Sequence, residues 1–114
     1  MTTIYHNPRC SKSRQTLELL KSNQIDPQIV LYLESPPSKK ELKKIIAQLD
    51  ITPRALLRKG EDAYKANNLK DTNISDDQLI DFMLEFPKLI ERPIVIHNDK
   101  AVLGRPPENV LEII

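Results

Sequence analysis

Apolar positions keep a strand-like pattern at the two ends of this chain and a helical one between them. Residues 2–6 (TTIYH) are rich in β-branched and aromatic side chains and read as a short first strand. Asn7-Pro8 breaks it, because a residue before proline is pushed out of the α region. From Ser11 to about Ser22 the segment SKSRQTLELLKS predicts a helix, with Leu17 and Leu20 on one face. Gln28 to Leu33 (QIVLYL) is a near-continuous apolar run, the pattern of a buried strand. A β-α-β opening of this kind predicts a parallel pair joined by a right-handed crossover.

Pro36-Pro37 ends that strand, and Ser38-Lys-Lys-Glu41 has the spacing of a capping box. Leu42, Ile45, Ile46 and Leu49 follow at the spacing of an amphipathic helix. Thr52-Pro53 pairs an N-cap residue with a proline at the first helical position, so a short helix is expected over Arg54 to Arg58. A second capping box, Ser75-Asp-Asp-Gln78, precedes Leu79, Phe82, Met83 and Phe86, a stripe expected to be core. After Pro87 the pattern is strand-like again. Pro93 to His97 and Lys100 to Leu103 predict an antiparallel pair turning at Asn98-Asp99, and Glu108 to Ile114 a last short helix. The fold class is therefore α/β: a thioredoxin-like mixed four-stranded sheet with a helical insertion, at about 38–86, between strands two and three. No repeat, low-complexity tract or linker interrupts the chain, so residues 1–114 are expected to form one domain.

Composition narrows the function. Seventeen basic and sixteen acidic residues leave a net charge of +1. A nucleic-acid or membrane-surface binder carries a stronger basic bias, so neither partner is expected. No leader pattern opens the chain and no apolar run approaches the ~18 residues of a membrane span. Two glycines, Gly60 and Gly104, cannot build a glycine-rich nucleotide loop. The lone cysteine, Cys10, rules out an internal disulfide and fits a reducing cytoplasm. One cysteine with His6 and His97 also lacks the spacing of a zinc site, so no metal is expected.

Cys10 falls between the first strand and the first helix, where unpaired backbone N–H groups and the helix dipole stabilise an anion. Arg9, Lys12 and Arg14 are its neighbours and His6 lies four residues earlier, features that favour thiolate over thiol. An ordinary thiol, with a pKa of about 8.5, is only a few per cent ionised at neutral pH. Ser13 stands where a dithiol oxidoreductase has its second cysteine, so an oxidised Cys10 needs an outside thiol. The tyrosine-phosphatase pattern fails as well, because the position six after Cys10 is Thr16.

The segment His6-Asn-Pro-Arg-Cys-Ser-Lys-Ser-Arg14 resembles the H-N-P-x-C-x-x-S-R signature of the glutaredoxin-linked arsenate reductases. Arg54-Ala-Leu-Leu-Arg58, Asp76-Asp-Gln-Leu-Ile80, Glu91-Arg-Pro-Ile-Val95 and Gly104-Arg-Pro106 resemble later blocks of that family, so the likeness spans the chain. The resemblance implies that Cys10 is the catalytic cysteine and His6 the residue that tunes it. It implies that Arg58, Arg92 and Arg105 hold the oxyanion, that Asn7, Ser13, Arg14 and Pro93 support the site, and that the Arg92–Pro93 bond is cis. It also implies arsenate as substrate, glutathione as co-substrate with no bound cofactor, and glutaredoxin as partner to a monomer. Arginine suits this task, since its planar fork pairs with tetrahedral oxyanions. Like charges at ~4 Å repel by about 4 kcal/mol at an effective dielectric near 20, so a thiolate meeting an oxyanion needs several cations nearby.

Two alternatives stand beside that reading. One is a thiol-redox enzyme of the same fold with a different substrate. The other is a transcription regulator of the Spx type that binds RNA polymerase, although such proteins usually carry a second cysteine where Ser13 stands.

Overall fold

Both strand-like ends of the chain meet in a single sheet. The computed structural model describes residues 1–114. Its strands are β1 (Thr2–Tyr5), β2 (Gln28–Val30), β3 (Ile94–His97) and β4 (Lys100–Leu103), ordered β2-β1-β3-β4 across the sheet. β1 runs parallel to β2, with Ile4 opposite Ile29, and antiparallel to β3, with Ile4 opposite Val95. β3 and β4 form the expected hairpin, with Asn98 taking the positive φ (57°) that its turn requires. The architecture is the thioredoxin-like mixed sheet that the element order predicts.

Helix α1 (Ser11–Ser22) connects β1 to β2, and α2 (Lys39–Leu49), α3 (Asp62–Ala66) and α4 (Asp76–Glu85) lie between β2 and β3 in sequence. Contacts divide the chain into two compact units, one of residues 1–35 with 92–114 and one of residues 36–91. In the first, Ile4, Leu20, Val95 and Val110 form a fully buried core, flanked by Leu17, Ile25, Val102 and Ile113. In the second, α2 and α4 bury Leu42, Ile45, Ile46, Leu79, Ile80 and Met83. Burying one such side chain contributes about 1.5–3 kcal/mol, enough to hold short helices of little intrinsic stability. Both capping boxes form: Ser38 accepts from the Glu41 amide at 3.1 Å, and Ser75 from the Gln78 amide at 3.2 Å.

Four expectations need correction. The apolar run 28–33 yields only a three-residue strand, and it is an exposed edge rather than a buried strand, with Ile29 45% exposed. The sheet order explains this, since β2 has a neighbour on one side only. In the α4 stripe Phe82 and Phe86 are half-buried, while Ile80 joins Leu79 and Met83 in the core. The turn after Thr52 is a 3-10 helix over Pro53–Leu56, and the last helix is also 3-10, over Pro107–Glu112. Helix α3 and a 3-10 turn at Pro87–Leu89 lacked an apolar period long enough to read.

Candidate active site

The loop from β1 to α1 is held by its own short-range chemistry. The His6 amide donates to the Val30 carbonyl at 2.9 Å, so the chain leaves the sheet still tied to β2. The Arg9 amide donates to Asn7 Oδ1 at 3.0 Å, and the Cys10 amide to the Asn7 carbonyl at 3.0 Å. Ser13 is fully buried, and its hydroxyl oxygen accepts from the Asn7 amide at 3.0 Å while lying 2.6 Å from His6 Nδ1. His6, Asn7 and Ser13 thus form one network beneath the loop.

Cys10 is the N-cap of α1, with extended backbone (φ −93°, ψ 123°), and no side-chain hydrogen bond closes the helix start. The residue is 9% exposed. Burial pushes the thiol up, but the net shift is downward. The opposing causes are the Ser13 backbone N–H, the Arg92 guanidinium by hydrogen bond and by charge, and the Lys12 backbone N–H. Arg105 adds a second guanidinium, with Nη1 3.8 Å from Cys10 Sγ and 3.4 Å from the Arg92 carbonyl. The sulfur therefore lies between a helix start and two arginines.

The sources of that charge differ from the expectation in two respects. Arg14 donates from Nη1 to the Pro8 carbonyl at 2.9 Å, so it braces the loop, while Arg9 and Lys12 are exposed. Neighbours in sequence are not the cations that matter. His6 is held below the ordinary histidine range by burial and by the charges of Arg14 and Lys21, so it is neutral at pH 7. A neutral imidazole cannot favour the thiolate by charge; its bond goes to Ser13, whose N–H faces the sulfur.

The remaining residues divide clearly. The Arg92–Pro93 bond is cis, as is Arg105–Pro106, and the Gly104 amide donates to the Pro93 carbonyl at 2.9 Å. Arg58 belongs to the helical unit, where it pairs with Glu91 at 2.7 Å and Glu61 at 3.3 Å. Burial lowers the Arg58 pKa but the two carboxylates raise it further, so its charge is secure. A cavity of about 340 Å³ opens beside the loop, lined by His6 to Arg9 and by Leu31, Leu33 and Glu34. No three His, Cys, Asp or Glu side chains converge as a metal site, and no helix is long and apolar enough to cross a membrane.

Hydrophobic periodicity missed two residues at this site, Thr16 and Gly104. The buried face of α1 is Ser13, Thr16 and Leu20, so two of its three positions are polar. The available signal was helical register: Thr16 lies one turn after Ser13, on the same face.

Comparison with known proteins bears on the fold and the family. The model of the ArsC family matches residues 5–113. The Escherichia coli K12 protein YfgD, itself uncharacterised, is 54% identical over 97% of this chain and 94% of its own length. An Escherichia coli arsenate reductase is 52% identical, over 98% of this chain and 79% of its own. The structure of an arsenate reductase from Vibrio cholerae superposes with a TM-score of 0.96, at 54% identity, over 99% of this chain and 97% of that one. A family model that matches nearly the whole sequence, and relatives about half identical over the same span, place the chain in the ArsC family.

Proposed function

We propose that this protein reduces arsenate to arsenite through Cys10. One observation carries the reading: a thiol held below its ordinary pKa, with Arg105 Nη1 3.8 Å from the sulfur and Arg92 beside it. The thiolate attacks arsenic(V), and water leaves as the sulfur–arsenic bond forms. Arg92 and Arg105 offset the charge that gathers on the oxygens as this happens. Glutathione thiolate next attacks the Cys10 sulfur, and the sulfur–arsenic electron pair passes to arsenic. Arsenite departs as arsenic(III), and Cys10 is left in a mixed disulfide with glutathione. Glutaredoxin then takes the glutathione by thiol–disulfide exchange and frees the Cys10 thiolate.

The single cysteine supports the need for an outside thiol, since the chain has no second thiol to resolve the adduct. It also suits a reducing cytoplasm. The cavity of about 340 Å³ lies on the His6–Arg9 side of the loop and is lined by neither Cys10 nor the two arginines, so it plays no part in this reading. In this reading Arg58 is the third oxyanion arginine, and His6, Asn7, Ser13, Arg14 and Pro93 keep the loop in place.

The test is arsenate-dependent oxidation of NADPH, coupled through glutathione, its reductase and glutaredoxin. Turnover should appear with the protein and vanish with Cys10→Ser. Full activity in Cys10→Ser would overturn the mechanism. A second reading keeps the same thiol but takes a disulfide as substrate. It is favoured by Arg58, whose guanidinium is engaged by Glu61 and Glu91 rather than offered to an anion. An assay with bis(2-hydroxyethyl) disulfide in place of arsenate, holding glutathione and its reductase but no glutaredoxin, separates the two.

A further inference from the structure

The two arginines at Cys10 come from segments far along the chain, and one buried contact holds both segments. Thr16 is fully buried on α1, and its hydroxyl lies 2.8 Å from the Lys12 carbonyl and 3.2 Å from the Gly104 carbonyl. The first is the ordinary back-bond of a helical threonine. The second leaves the helix and reaches the residue immediately before Arg105. Gly104 has no room for a side chain. A Cβ there would stand 2.5 Å from Thr16 Oγ1, 2.9 Å from Thr16 Cγ2 and 2.8 Å from Pro93 Cγ, all closer than the 3.0 Å that real Cβ atoms respect. The Gly104 amide also donates to the Pro93 carbonyl at 2.9 Å. Thr16, Gly104 and Pro93 therefore form one pinch. Gly104 leads directly into Arg105, Pro93 follows directly from Arg92, and Thr16 rides on the helix that Cys10 begins.

We propose that Thr16 is a positioning residue for the active site: through its hydroxyl contact with Gly104 it sets how closely Arg105 and Arg92 approach the Cys10 sulfur. The physical reason is a difference in contact distance. The hydroxyl has one proton, shared between the Lys12 and Gly104 carbonyls with the Lys12 arm the shorter, and this three-centre bond lets the Gly104 oxygen sit 3.2 Å away, whereas a methyl group in its place meets that oxygen only at van der Waals distance. Valine has the shape of threonine, so Thr16→Val leaves the core filled and moves Gly104 outward by a few tenths of an ångström. Arg105 moves with it. Thr16→Ser keeps the oxygen and discards only the methyl group. The inference rests on Arg92 and Arg105 facing Cys10, and not on which oxyanion or disulfide the enzyme consumes.

The experiment is the pH dependence of Cys10 alkylation by iodoacetamide, with thermal unfolding followed by circular dichroism on each variant. No arsenate is present, so failure here is distinct from failure of the arsenate reading. Thr16→Val should raise the alkylation midpoint by about half a unit, slowing reaction at low pH about threefold, while Thr16→Ser stays at the wild-type value. Gly104→Ala should raise it further, by about one unit. If Gly104→Ala does not fold, the valine–serine contrast decides alone. In an Arg105→Ala background Thr16→Val should add less than it does alone, because of the two guanidiniums it positions only Arg92 remains. Wild-type midpoints in a folded Thr16→Val, or equal shifts in the valine and serine variants, would overturn the proposal. So would a full, additive effect of Thr16→Val without Arg105.

Discussion

Three of the four α-helices in this molecule begin on a small polar residue, and only one of those three is left open. α2 and α4 start on Ser38 and Ser75, each locked in a reciprocal capping box that satisfies the first amides. α1 starts on Cys10, and no side chain closes it. The first two are stability devices, each contributing on the order of 1 kcal/mol. In the third the Ser13 and Lys12 amides stay available to a negative sulfur, and two arginines from distant segments complete its surroundings. The same structural position serves to finish a helix or to hold an anion, depending on whether the cap atom is a hydroxyl or a thiol.

The largest effect should come from making α1 resemble the other two. Cys10→Ser supplies a normal capping hydroxyl, so the thermal midpoint should hold or rise, by up to about 1 kcal/mol of stability at pH 6. Turnover should fall by about four orders of magnitude or more, as when a nucleophile is removed. The converse, Ser38→Ala or Ser75→Ala, should cost about 0.5–2 kcal/mol in denaturant unfolding and leave the Cys10 alkylation midpoint unchanged. A moved midpoint would show that the capped helices are not purely structural.

Removing a cation is the next step down. Arg105→Ala should return the alkylation midpoint towards the ordinary thiol value of about 8.5. The sign for stability follows from the same shift. Folded Cys10 binds its proton less tightly than unfolded Cys10, so stability is full above about pH 8.5 and declines as pH falls through the depressed value. That slope should be missing in Cys10→Ser. His6 gives a second window by the same logic, since its folded pKa is also lowered. Below about pH 6.5 the unfolded chain takes up a proton that the buried imidazole resists, so acidification destabilises the fold. His6→Gln should flatten this part of the unfolding curve. The smallest effect belongs to Glu91→Gln, which loosens the partly exposed pair with Arg58 and should change stability by about 1 kcal/mol or less.

Elements with a clear local signal were legible in the sequence. Both capping boxes, the β3–β4 hairpin and helix α1 are where spacing and turn chemistry put them, because each depends on residues a few positions apart. β2 was misjudged, since apolar content says nothing about whether a strand lies at the centre or the edge of a sheet. At the site, Cys10 was legible from its place before a helix. Its cations were not. Arg9, Lys12 and Arg14 were adjacent in sequence, yet Arg92 and Arg105 are adjacent in space, and only the resemblance to a family pointed to them. Polar Ser13 and Thr16 on a buried helical face defeated hydrophobic pattern reading, because what they satisfy lies in loops outside that helix.

Arg105 stands 95 positions after the sulfur it faces, just beyond a strand pair that follows the whole helical insertion. During synthesis, Cys10 leaves the ribosome long before either guanidinium exists. Until then the thiol lacks both guanidiniums and reacts more slowly than it does in the folded protein. The share of its nucleophilic character that the guanidiniums supply arrives late, when β3 docks beside β1 and β4 beside β3, so full reactivity reports that folding has been completed.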